Sequence, residues 1–457
     1  MLRAALQQAP RRYRMPPLPA DAGAAEAAGP EAVIAFTLAA ADAGTVPADD
    51  GVARLFTSAL AALIRSALDP LDGDPTFQAQ VLAAGDARVA EYLHLAAQAT
   101  GDARTVRAAV NAWAHPGKLQ GQPPGARPDA LAPLHRLAAS GAWTTLQQAL
   151  DDLLAEGWLE DGPLRDALSA LRDSPALARL AQAEALLALD GVQRYRALCE
   201  RAGPSAGSAA AAQQGRASAR LGAAAERSTV QALLAMAELI HRAAPALPRL
   251  HVAQGLLTPR GFPGVNGRAK DEWDVALLRE VGPDGARDVM LLLEVKAAPA
   301  AAASDYPRLL RGLQRLALAQ TQERYAFACV GGETLLRGAS LRELAPQGDA
   351  LPPQVLYACT APAEPRTPLL NPVARAMLLA EPACIAFAAK LARGAAPQPA
   401  ELAALWEELP REPRLRPVLR QYDTARRARE AMLHPDELLA AAAVALLPQA
   451  RQPEPLP

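Results

Sequence analysis

Lysine is nearly missing from this chain. Only four of its 47 basic residues are lysines, at Lys118, Lys270, Lys296 and Lys390, and all the other positive charges are arginine. With a formal net charge of -1 the chain has no global positive field, which excludes a histone-like coat and leaves local arginine clusters as the only means of attracting nucleic acid. Aromatic residues make up 4% against 51% hydrophobic, much of it alanine, a balance that favours Ala/Leu-rich helices and excludes an all-β fold. The 4 cysteines (Cys199, Cys329, Cys359, Cys384) lie far apart without C-x-x-C spacing, and the 6 histidines show no H-x-x-x-H, so neither a structural zinc site nor a disulfide framework is indicated. No apolar run reaches the length of a membrane span, and the arginines and prolines of the first twenty residues do not form a signal peptide. There is no Walker-type phosphate loop and no run of eight strand-helix units, which argues against an ATP-driven machine and a (β/α)₈ barrel. The expectation is a soluble bacterial protein of the reducing cytoplasm.

The length of 457 residues predicts several domains. Residues 1–30, rich in Pro, Ala and Arg, read as a disordered arm. Residues 31–202 place apolar residues at three- and four-residue spacing throughout, as in GVARLFTSALAALIRSALDP and TTLQQALDDLLAEGWL, and so predict an α-helical domain. The small, polar stretch beginning GPSAGSAAAAQQG predicts a linker over 203–218. Beyond it, over 219–362, a helical pattern is followed by strand-like runs LHVAQGLLT, EWDVALLRE and DVMLLLEVKA, a helix DYPRLLRGLQRLALAQ, and strands RYAFACVG and QVLYACT. Residues 363–447 return to helical spacing, and 448–457 form a tail. The fold class expected is therefore multi-domain, mainly α, with one α/β domain.

Chemistry concentrates in the strand-like runs. In a strand, residues two apart share a face, so Glu294 and Lys296 emerge together at the end of the most apolar run. Asp274 lies in EWDVALL, joined to that strand through the turn VGPDGA, and a hairpin sets its carboxylate beside that of Glu294. Two converging carboxylates form a hard-oxygen site suited to Mg²⁺ or Mn²⁺. Such an ion activates water and offsets charge in phosphodiester cleavage, while a neighbouring lysine orients the water or stabilises developing charge.

At Asp274, Glu294, Val295 and Lys296, within a helix-strand-strand-strand-helix-strand order over about residues 222–360, the segment resembles the PD-(D/E)XK nuclease superfamily. The resemblance implies an α-β-β-β-α-β restriction-endonuclease-like core flanked by N- and C-terminal helical regions. It also implies a Mg²⁺- or Mn²⁺-dependent hydrolase of DNA phosphodiester bonds, with Asp274 and Glu294 as metal ligands and Lys296 as the catalytic cation. It further suggests Glu226 on the first helix as an added ligand, with Glu238 as a weaker candidate, and Gln314 as an accessory residue. Cores of this type also occur as inactive nucleic-acid- or protein-binding modules, so that alternative stays open. A protein partner could use the N-terminal helices.

Further basic residues have two readings. Arg308, Arg311 and Arg315 form one helical stripe that either tracks a phosphate backbone or is a solvated face. Arg268 and Lys270, in the glycine-rich GFPGVNGRAKDEWD, suggest a substrate-side loop for nucleic acid or a tight connection between strands. The dense arginines of PREPRLRPVLRQYDTARRARE either contact nucleic acid or pair with nearby acids. Trp113, Trp143, Trp158 and Trp406 fall in helical patterns and read as packing residues.

Overall fold

The structure, a computed structural model, describes residues 2–44, 50–121, 125–157, 159–265, 267 and 269–446. Trp158, Arg268 and the expected tail 448–457 lie outside the described residues. The chain is mainly helical with one mixed seven-stranded sheet, and it divides into two compact units.

One unit, Ala62–Ala206 with Leu379–Glu401, is wholly helical in its described residues. Aspartates cap two of its helices: Asp74 accepts from the amides of Thr76 and Phe77, and Asp86 from those of Arg88 and Val89, filling donors that a helix N-terminus leaves open. Val106, Leu131, Leu146, Leu150, Leu168 and Leu177 are buried in one core. Trp143 belongs to that core and Trp113 packs against it.

The other unit, Met1–Ala61, Gly207–Leu378 and Leu402–Pro457, holds the sheet. Its strands are β1 (Leu250–Leu257), β2 (Glu272–Glu280), β3 (Arg287–Lys296), β4 (Arg324–Cys329), β5 (Gly332–Arg337), β6 (Val355–Cys359) and β7 (Met432–Leu433). Strands β1, β2 and β3 form an antiparallel meander. The turn between β2 and β3 is closed by the Val281 amide donating to the Ala286 carbonyl at 2.9 Å. The crossover helix Ala301–Leu316 follows β3, and β6 then pairs with β3 in parallel. The hairpin β4–β5 is inserted between helix and β6, and β5 meets β3 at the single pair Arg287↔Leu336.

Strand alternation divides the apolar residues between two cores. Ala276, Leu278, Leu292 and Tyr357 share one with Tyr306, Leu309 and Leu313 of the crossover helix. Val275, Leu277, Leu291 and Leu293 share the other with Leu233, Met236 and Ile240 of the long helix Ala209–Ala243. Asp274, Glu294 and Lys296 continue the first set along β2 and β3, so they belong to the face that the crossover helix covers.

The sequence-based boundaries need correction at three places. Residues 1–30 are not a disordered arm: Leu2–Gln8 and Ala22–Ala28 are helical, and Tyr13 is buried with its hydroxyl donating to the carbonyls of Cys359 (2.8 Å) and Ala361 (2.6 Å). One aromatic anchor outweighs the surrounding Pro, Ala and Arg. The linker expected at 203–218 is helical from Ala209, where Ser208 caps the Ala211 amide at 3.1 Å. Its alanines support a helix without an apolar face, and only the face was legible as periodicity. Finally, Met1–Ala61 belongs with the sheet and Leu379–Glu401 with the helical unit, so the two units interleave along the chain.

Candidate active site

Strand β3 is buried on both faces along most of its length, so any charge at its C-terminal end has to be paired. Glu294 is 3% exposed, and two ammonium groups converge on one of its oxygens: Lys270 Nζ and Lys296 Nζ each lie 2.8 Å from Oε1. Lys270 Nζ is also 3.6 Å from Asp274 Oδ1, and Lys296 Nζ is 3.3 Å from Asp305 Oδ2. The second oxygen of Asp274 accepts the Val295 amide at 2.8 Å, which fixes its carboxylate against β3. Tyr357, opposite Glu294 in the parallel register of β6, donates its hydroxyl to Asp305 Oδ2 at 3.3 Å. Three carboxylates and two ammonium groups thus form one chain of ion pairs.

Burial is the main force on these groups. It pushes the Glu294 carboxyl up to about 7, with Asp274 and Asp305 adding to the effect and Lys270 and Lys296 opposing it. Burial alone would lower Lys296, but Glu294, Asp305 and Asp274 outweigh it and hold the ammonium above the ordinary lysine range. The Tyr357 phenol is raised by burial and by the neighbouring Asp305 and Glu294, so it remains a donor at physiological pH.

The structure brings Asp274, Glu294 and Lys296 together as the sequence suggests. Lys270 is placed differently. Expected on a nucleic-acid-facing loop, it is 5% exposed with its charge inside the cluster, because the chain entering β2 folds over the crossover helix. Gly312 makes that approach possible: a Cβ there would lie 2.8 Å from the Trp273 ring and 2.9 Å from Lys270 Cβ. Gly312→Ala is therefore expected to lose about 1 to 3 kcal/mol by overpacking, read by urea unfolding. Unchanged stability would show that Lys270 and Trp273 give way freely.

Other expected residues lie elsewhere. The Glu226 carboxylate accepts from Gln254 Nε2 at 3.3 Å and so is drawn to β1. Glu238 is largely exposed, with Arg242 at 3.7 Å. Gln314 is exposed on the crossover helix. Arg308 and Arg311 are exposed on the same helix, while the Arg315 guanidinium sits 5.7 Å from the centre of the Phe262 ring. Much of the dense arginine stretch pairs with acids: Arg414 with Glu408, Arg420 with Asp42, Arg426 and Arg427 with Asp423, and Arg429 with Glu364. Asp305 and Tyr357 were missed. The available signal for Asp305 was an acid early in the helix that follows Glu-x-Lys.

The chain matches no family model, no curated protein and no solved structure.

Among the described residues no three carboxylate, imidazole or thiolate groups meet as a ready-made metal cage. Asp274 and Glu294 nevertheless reach one cation between them, the Lys270 ammonium. A pair of carboxylates of this kind fits Mg²⁺ or Mn²⁺, because Mg²⁺ keeps several waters and takes only one or two protein carboxylates.

Proposed function

We propose that this chain is a divalent-metal-dependent phosphodiesterase acting on nucleic acid, with DNA as the substrate class and a restriction-endonuclease-like arrangement of its sheet. The observation that supports it best is the convergence of Asp274, Glu294 and Lys296 at the end of an antiparallel meander, beside the first turns of a crossover helix leading to a parallel strand. Asp274 and Glu294 would hold the ion. When bound, it supplies an activated water and offsets charge on the phosphoryl group. The Val295 amide keeps Asp274 aimed, and Glu294 and Asp305 hold the Lys296 ammonium where it can orient water or meet developing negative charge. Tyr357 steadies Asp305 from β6. Glu226, occupied with Gln254, is left out of the ligand set.

Titration calorimetry with Mg²⁺ and Mn²⁺, coupled to plasmid and oligonucleotide cleavage, tests this reading. Wild type is expected to bind and cleave, chelation to stop cleavage, and Asp274→Ala to lose both. Absence of binding in wild type would overturn it. One observation favours a second reading, a non-catalytic binding module: the position between the two carboxylates already carries a lysine. Nucleic-acid binding that is indifferent to divalent ions, without cleavage, would establish that module instead.

Arg308 lies one turn beyond Asp305, and Arg311 one turn further, both exposed. The double variant Arg308→Ala/Arg311→Ala is expected to weaken DNA binding equally across sequences. It should also reduce the dependence of log affinity on log salt by roughly two phosphate contacts. An unaltered salt slope would remove this helix from the interface.

A further inference from the structure

We infer that Lys270 is a tethered counter-ion occupying the position of the divalent cation, and that the metal enters only by expelling its ammonium group. The inference rests on the metal-dependent reading above. Lys270 Nζ is the cation that joins the two candidate ligands, 2.8 Å from Glu294 Oε1 and 3.6 Å from Asp274 Oδ1. Lys296 already pairs with Glu294 and Asp305 from the other side, so the cluster holds one cation suited to catalysis and a second that fills the space between the carboxylates. Mg²⁺ needs ligand oxygens at about 2.0 to 2.1 Å and repels a neighbouring ammonium, so the two cations compete for the same oxygens.

The local structure allows exchange. Lys270 is held at its stem, where its Cβ and carbonyl oxygen face Gly312, while the charge rides on a flexible four-carbon chain. The segment before it carries three glycines in the left-handed region, Gly261 (φ 84), Gly264 (φ 86) and Gly267 (φ 46), a conformation that glycine adopts at no steric cost. Solvent reaches the cluster at Asp274 and Lys296, whose side chains are 18% and 17% exposed, whereas Lys270 and Glu294 lie behind them. Without metal the lysine bridges the two carboxylates and offsets their mutual repulsion. With metal it is released towards solvent and becomes a free cation at the rim of the site. The apparent metal affinity is then lowered by the work of displacement, which sets a concentration threshold for activity.

Two measurements on the full-length protein test the exchange. In calorimetric titrations with MnCl₂, Lys270→Met, which keeps the apolar stem, is expected to bind about tenfold more tightly than wild type or better, and Asp274→Asn to bind no metal. In amine acylation of wild type followed by mass spectrometry, Lys270 is expected to be protected without Mn²⁺ and labelled at saturating Mn²⁺, with Lys118 and Lys390 as internal references. The second measurement decides the matter if Lys270→Met fails to fold in a thermal-unfolding control. Equal affinity of wild type and Lys270→Met, or a Lys270 still protected at saturating Mn²⁺, would overturn the exchange while leaving the metal site standing. No Mn²⁺ binding in any of the three proteins would overturn the metal reading, and the exchange with it.

Discussion

Glu294→Gln is expected to be more stable than wild type at pH 8, relative to their difference at pH 4, and to have lost cleavage. Glu294 has its folded-state value raised to about 7 from an ordinary 4.5, chiefly by burial and then by Asp274 and Asp305. Folding therefore favours the protonated acid. The contribution is fully present below about pH 4.5 and is lost as pH rises through about 7, a swing on the order of 3 kcal/mol. Glutamine is a neutral isostere of the protonated acid, so the variant should lack this fall, and urea unfolding at pH 4 and pH 8 would show it. Cleavage should drop by roughly a thousandfold, because a neutral amide is a poor ligand for a hard cation and no longer anchors the Lys296 ammonium as a carboxylate does. Stability bought back by removing a buried charge, at the cost of activity, is the pattern of a site under functional demand. A variant that keeps its activity, or that retains the wild-type pH slope, would remove Glu294 from the centre of the chemistry.

The parts of the site that could be read in the sequence are those set by short-range periodicity. Glu294 and Lys296 share a face because strand residues alternate, and Asp274 joins them because a short turn fixes an antiparallel register, seen as Val275↔Leu293 and Ala276↔Leu292. The mainly helical character with one sheet followed from the abundance of Ala and Leu and the single cluster of strand-like runs. What escaped depends on contacts distant in sequence or on side chains in loops. Nothing local to GFPGVNGRAKDEWD says that Lys270 turns inward; that is decided by Gly312 on a later helix. Tyr357 reaches Asp305 only because β6 lies parallel to β3. Strand β5, GETLLR, is short and half exposed, and β7 is only 2 residues, so neither offered a period to recognise. Tyr13 illustrates the same limit: its partners are the carbonyls of Cys359 and Ala361, far along the chain.

Asp288→Asn is expected to lose about 2 to 3 kcal/mol of stability at pH 7 while leaving cation binding at Asp274 and Glu294 unchanged. Asp288 begins the same strand that Glu294 ends, and it too is a buried carboxylate between two cations: Arg337 grips it through two nitrogens at 2.7 and 2.8 Å, and Arg279 through one at 3.0 Å. Burial alone would raise its pKa, but the Arg337 and Arg279 hydrogen bonds outweigh burial and hold the carboxyl below its ordinary range. The sign is the reverse of that at Glu294. Stability from Asp288 is present above about pH 3.8, the ordinary value, and is lost as pH falls below it. The difference lies in the company each carboxylate keeps. Asp288 meets guanidinium donors with no second acid among its partners, whereas Glu294 has Asp274 and Asp305 beside it. Its role is to tie β2 and β5 to β3 where β5 has only one ladder pair with that strand. Both arginines are about 40% exposed, which is why the expected loss stays below that of a fully buried pair. Chemical unfolding at pH 7 with Mn²⁺ titration of the same variant separates the two clusters. Loss of metal binding in a folded Asp288→Asn protein would mean that the two ends of β3 are coupled and that the cation site is not confined to the end that carries Glu294.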